Sequence, residues 1–119
     1  MGQVAPARLL DSLLAVSTGG ELNVSVDEDA AAAVVRLRGE LDLSSVTELE
    51  SRLAPVLARD DLRAVVFDLG ELTFIDSSGL AVLVKTAGTG KQVHLRRPSP
   101  FVQEVIAVTG LDGVLPAEP

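Results

Sequence analysis

With 119 residues, 47% of them hydrophobic, the chain is one domain's worth and has enough apolar side chain for a real core. Its formal net charge of −7 argues against a phosphate backbone or an anionic membrane surface, so neither nucleic acid nor membrane is expected as a partner. With no cysteine there is no disulfide framework and no thiolate metal site, and no apolar run reaches the roughly 18 residues of a membrane span.

The first 20 residues stand apart. One arginine and an apolar patch broken by Asp11 make a poor secretory signal, so a soluble, cytoplasmic protein is the default. Val4, Leu9, Leu10, Leu13, Leu14 and Val16 fall close to helical spacing before Ser17-Thr18-Gly19-Gly20 stops the pattern. This extension, residues 1–20, reads either as a short amphipathic helix docked on the domain or a partner, or as a frayed tail. The domain proper is expected over residues 21–119.

From Glu21 the signals sharpen. Leu22, Val24 and Val26 alternate with polar residues, as in a half-buried strand, and Asp27-Glu28-Asp29 turns the chain into a second strand through Val34 to Arg38. The pair predicts an antiparallel hairpin. Gly39-Glu40-Leu41-Asp42 then breaks the pattern. Ser45 and Glu48 have the spacing of a capping box, and Val46, Leu49, Leu53, Val56 and Leu57 give one apolar helical face. Pro55 predicts a bend or a shortened helix there.

The unbroken apolar run Ala64 to Leu69 predicts a central strand covered on both faces, followed by a turn at Gly70-Glu71-Leu72. Phe74-Ile75-Asp76-Ser77-Ser78-Gly79-Leu80 leads into a helix running to about Ala87, closed by Gly88 and Gly90. A strand with Val93 and Leu95 inward follows, with His94 on its polar side. Ser99-Pro100 starts a last helix with Val102, Val105 and Ile106 on its apolar face, and Gly110-Leu111 fits a Schellman ending. Val114-Leu115 is read as a short closing strand. The alternation of strands and helices implies right-handed crossovers and a largely parallel sheet, an α/β fold.

Asp76, Ser77 and Ser78 sit where a strand hands over to a helix. A hydroxyl there lies near unpaired backbone N–H groups and the positive end of the helix dipole, a natural place for a phosphate. The plainer reading is that Asp76 or Ser77 only caps the helix. The chain lacks a G-x-x-x-x-G-K-[ST] phosphate loop, a G-x-G-x-x-G fingerprint and a G-x-S-x-G nucleophile elbow. Ser77 as a hydrolase nucleophile would need a base, and one His on a strand face is thin support. Asp42, Asp68 and Asp76 together could hold a divalent cation, but scattered carboxylates in an acidic protein are usually solvated. No catalytic residue, cofactor or metal is expected.

Gly39-Glu40-Leu41-Asp42, Val66-Phe67-Asp68-Leu69, Asp76-Ser77-Ser78-Gly79-Leu80, Ser99-Pro100 and Thr109-Gly110-Leu111 occur in an order that resembles the anti-sigma factor antagonist family. These proteins are the bacterial single-domain form of the STAS fold, and the resemblance covers nearly everything from Glu21 onward. It implies a small mixed sheet of about four to five strands with helices packed against it. It also implies a partner switch without catalysis. The unphosphorylated protein binds an anti-sigma factor that is also a serine kinase, which frees a sigma factor. Phosphorylation of a serine in the D-S-S-G motif ends the interaction, and a serine phosphatase restores it. Carried over, the acceptor is Ser77, with Ser78 the runner-up. Asp76, Ser78, Gly79 and Leu80 shape the partner-binding loop, and Asp42 and Ser45 lie near it. The segment between Ser78 and Val93 is about one helical turn shorter than is usual in the family. A STAS subunit of a membrane transport assembly resembles the same fold but needs no phosphoserine, so the retained Ser77 and Ser78 favour the switch.

Overall fold

The computed structural model describes residues 21–118; the extension predicted over residues 1–20 lies outside the described residues. Strands β1 (Leu22–Glu28), β2 (Ala32–Leu41), β3 (Ala64–Ile75) and β4 (Gln92–Arg96) alternate from β2 onward with helices α1 (Val46–Leu57), α2 (Ser77–Ala87) and α3 (Pro100–Val108). The sheet order is β1-β2-β3-β4; β1 pairs antiparallel with β2, and the other two pairings are parallel. The predicted mixed α/β architecture is therefore present, with four strands among the described residues.

Strand alternation divides the sheet into two unlike faces. Val24, Ala33, Val35, Leu37, Val65, Phe67, Leu69, Val93 and Leu95 point inward and join one core with Leu49, Leu53 and Val56 of α1, Leu80 and Leu83 of α2, and Val102 and Ile106 of α3. Phe67, fully buried in the central strand and flanked in register by Val35 and Leu95, is the largest of these. The opposite face carries Arg36, Asp68 and Arg96 in register, and this row is charged rather than apolar. Asp68 is 1% exposed and accepts from Arg97 at 2.9 Å and Arg36 at 3.3 Å, while Arg36 also lies 3.8 Å from Asp27. At the far edge Arg96 pairs with Glu118 at 2.7 Å. His94, the sole histidine, is on this polar face beside Val66, as expected.

Several sequence expectations are corrected. The second strand does not stop at Arg38; it runs to Leu41, because Gly39 adopts φ +107 and lets the chain pass against Glu21 without leaving the sheet. The central strand likewise continues past Leu69 through the expected turn to Ile75. It does so by two register shifts against β2, between Arg36 and Arg38 and between Gly39 and Glu40, each adding one residue to β3. The Ser45–Glu48 capping box does not form. Ser45 occupies the N-cap position, but its hydroxyl is used elsewhere. Val114-Leu115 is not a strand; Leu115 plugs the core from a turn, and an isolated bridge forms two residues later between Leu95 and Ala117.

Pro55 lies within α1 and does not shorten it: the helix runs through every predicted apolar position from Val46 to Leu57. Two other local readings hold. Ser99 accepts from Val102 N ahead of Pro100. Gly110 at φ +72 closes α3 in a Schellman pair, Leu111 N to Ile106 O at 3.0 Å and Gly110 N to Ala107 O at 3.1 Å.

Candidate phosphorylation and partner-binding site

The parallel register of β2 and β3 brings two handover points together. Leu41 pairs with Ile75, so Asp42 and Asp76 leave adjacent strands side by side, each ahead of a helix. Asp76 N donates to Leu41 O at 3.2 Å. The Asp76 side chain then accepts twice: from Gly79 N at 3.0 Å, as the N-cap of α2, and from Leu43 N at 3.2 Å, across to the other turn. One carboxylate therefore fixes both loops.

The Asp42 turn is tightly knit and mostly inward. Asp42 is 1% exposed; its Oδ1 accepts from Ser44 N at 2.9 Å and from the Ser44 hydroxyl at 2.6 Å. Ser45, also buried, accepts from Asp42 N at 3.0 Å and donates to Glu40 O at 2.9 Å. These bonds occupy the hydroxyl that a capping box would have used. Asp42 Oδ2 and Glu40 Oε1 are buried without a hydrogen-bond partner. Burial, with the Asp42 charge nearby, raises the Glu40 carboxyl above its usual range.

Gly79 is fixed by space. A Cβ there would lie 2.6 Å from Leu41 Cγ and 2.8 Å from Leu41 O, so the first turn of α2 rests directly on the end of β2. Leu80, behind it, is buried in the core. Ser77 is exposed as the first residue of the eleven-residue α2, and Ser78 is half-buried. Asp76 takes the Gly79 amide, which leaves the Ser77 and Ser78 amides at the positive end of the helix without intrahelical acceptors. The Ser77 hydroxyl is thus displayed to solvent on a rigid mount.

The expected residues separate by exposure. Asp42, Ser45, Gly79 and Leu80 are buried and shape the site, while Ser77 is on the surface, with Asp76 and Ser78 half-buried. The three carboxylates do not gather, since Asp68 sits in the middle of the sheet with Arg36 and Arg97. Among the described residues no group of three or more His, Cys, Asp or Glu could hold a metal ion. Sequence reading missed Leu43, a large apolar side chain 74% exposed beside Asp76. Its signal was a leucine inside a run of turn formers, Asp42-Leu43-Ser44-Ser45. Phe101 was also missed; it is 46% exposed and stacks on Phe74, two residues before Asp76, at a centroid distance of 5.9 Å.

The model of the Mlab, STAS domain family matches residues 24–116, and the chain belongs to this family. It is 28% identical to the anti-sigma-B factor antagonist of Staphylococcus aureus over 98 residues, covering 79% of this chain and 90% of that protein. A solved anti-sigma factor antagonist from Mycobacterium paratuberculosis superposes with a TM-score of 0.74 at 28% identity, covering 83% of this chain and 86% of the other. SpoIIAA in its unphosphorylated form shares the fold at TM-score 0.71 and 22% identity over 82% of this chain and 89% of its own. The same Bacillus cell-fate determinant in its phosphorylated form gives 0.65 at 20% identity over 82% and 92%. Among the described residues, no helix is long and apolar enough to cross a membrane.

Proposed function

We propose that the chain is an anti-sigma factor antagonist controlled by phosphorylation of Ser77. The carrying observation is the exposed Ser77 at the first position of α2, capped by Asp76 in a way that leaves its hydroxyl unused. Relatives named anti-sigma factor antagonists, and a fold neighbour solved with and without phosphate, support this reading. In the unmodified state the surface around Ser77 and Leu43 binds an anti-sigma factor that is also a serine kinase, and a sigma factor is released in the cytoplasm. A serine phosphatase resets the protein.

Phosphorylation adds roughly 1.5–2 negative charges and three acceptor oxygens at the helix start. The free amides and the dipole favour it by about 1 kcal/mol, while Asp76 opposes it, so the fold survives and the effect falls on binding. A dianion in a desolvated contact costs several kcal/mol, and each 1.4 kcal/mol is about tenfold in affinity. A transport-assembly subunit needs no such acceptor, so the exposed Ser77 favours the switch. A hydrolase reading lacks its base: His94 is in register with Val66, nine strand residues before Ile75, roughly 25 Å away at about 3.3 Å per residue allowing for the bulges.

Incubation with ATP and the organism's anti-sigma kinases tests the proposal. Wild type should incorporate phosphate and then bind its partner at least tenfold more weakly. Ser77→Ala should resist the kinase and bind constitutively. Equal incorporation into Ser77→Ala would move the acceptor elsewhere, with Ser78 next.

A further inference from the structure

We propose that two copies of the chain pair through the outer face of α1 and α2, each seating its α1 in the other's groove between those helices. The groove has a volume of about 400 Å³ and is floored by Leu53, Val82 and Thr86, all buried. Its hydroxyl protons are already committed. Thr86 Oγ donates to Val82 O at 2.9 Å, and Thr89 Oγ donates to Thr86 O at 2.7 Å. The floor therefore presents no free donor and suits an apolar occupant.

Charge selects that occupant. Glu50 stands on the α1 wall and Lys85 on the α2 wall, both exposed, and among the described residues neither makes an ion pair. A carboxylate and an ammonium on opposite walls complement a surface that carries the same two groups in exchanged places. A second copy turned about a two-fold axis is such a surface. Glu50 then meets Lys85 of the second copy, and Lys85 meets its Glu50. A helix from an unrelated protein would have to supply both charges on the correct sides; this chain already has them.

The shape agrees. Both helices link neighbouring parallel strands and pack on the same core face, so they run side by side in one direction. The outer crest of α1 carries Glu50, Ala54 and the half-buried Leu57 at steps of four and three. Ala54 is small enough to let this crest approach Leu53 and Val82 of the other copy, and Leu57 adds an apolar contact. General repulsion opposes pairing, since each copy carries a net charge of −7. At about 0.15 M ionic strength the Debye length is about 8 Å, so that repulsion is largely screened while touching pairs are not. With α1 12 residues long, about 18 Å, the contact falls at the small end of specific interfaces, and the pairing is reversible. Ser77 opens α2 about 12 Å before Lys85, so it stays at the rim, and the pairing does not rest on its phosphorylation.

Sedimentation equilibrium of the full chain at about 0.15 M ionic strength tests the proposal. The weight-average mass should climb from that of one chain at about 10 µM towards that of two at about 500 µM. Glu50→Lys alone and Lys85→Glu alone each set like charges together at both ends of the contact, and each should weaken pairing about tenfold or more. An equimolar mixture of the two variants restores both opposite-charge pairs and should recover wild-type association. Both side chains are exposed, so each variant should keep the wild-type circular dichroism spectrum. A wild-type chain that stays monomeric at the higher concentration would overturn the pairing and leave the groove to another protein's helix. Single variants that associate like wild type, or a mixture that stays monomeric, would overturn this arrangement of the two copies.

Discussion

The Asp76 carboxylate accepts from the Leu43 amide at 3.2 Å, and this contact joins the turn after β2 to the start of α2. The same carboxylate caps α2 through Gly79 N. Asp76→Ala removes both bonds, and an N-cap alone is worth about 1 kcal/mol. The expected loss is about 1.5–2 kcal/mol in denaturant unfolding, with faster hydrogen exchange at Leu43. Asp76→Asn keeps one acceptor oxygen and should lose about half as much. Unchanged exchange at Leu43 in the alanine variant would show that the two loops are independent.

Gly79→Ala tests the close approach to Leu41. Alanine improves helix propensity by up to about 1 kcal/mol, but its Cβ would meet a backbone carbonyl at 2.8 Å that cannot yield cheaply. Overpacking of this kind costs about 1–3 kcal/mol, so net destabilisation is expected. Gly88→Ala is the control: its Cβ finds 3.4 Å to the nearest atom at an ordinary φ of −74°, and it should be neutral or stabilising. Thermal melts of the two variants should diverge in sign.

Asp68 sets an acid dependence. Burial raises its carboxyl, but hydrogen bonds from Arg97, Gly70 N and Arg36 outweigh this and hold it below the usual range. A depressed carboxylate stabilises the fold above its unfolded pKa and loses that contribution as pH falls through the lowered value. Asp68→Asn should therefore cost about 1–3 kcal/mol at pH 7, discounted for the exposed arginines, and much less well below pH 4. A pH-independent difference in urea midpoint would refute the charge term.

Glu40 has the opposite sign. Its raised carboxyl means that ionisation is disfavoured in the fold, so it contributes best when protonated and destabilises as pH rises past 4.5. Glu40→Gln should raise Tm at pH 7, with the gain shrinking towards zero below pH 4.5. A variant less stable than wild type at neutral pH would mean the orphaned Oε1 has a role the burial does not show.

Elements carried by periodic apolar residues were legible in the sequence: β1, the core of β3, β4 and the inward faces of α1, α2 and α3 follow the pattern directly. Strand ends were not. Gly39 reads as a break from composition, whereas its positive φ keeps β2 in the sheet; Gly70 reads as a turn, whereas an extra residue in β3 absorbs it. Ser45 matched a local capping motif, but Asp42 N and Glu40 O competed for its hydroxyl, a tertiary choice that spacing cannot reveal. In the site, Asp76 as cap and Ser77 at the helix start were visible in the motif. The burial of Asp42 and the display of Leu43 depended on two strands ending at one level.

The contact of Gly79 with Leu41 also bears on the kind of signal Ser77 can carry. A helix start seated against a strand backbone has no slack along its axis, so an added phosphate cannot be relieved by sliding α2. The information would then reside in charge alone, on a surface that keeps its shape. Such a switch has no moving parts to wear out of register, and it can be addressed to a new partner by changing exposed residues such as Leu43 while the core stays as it is.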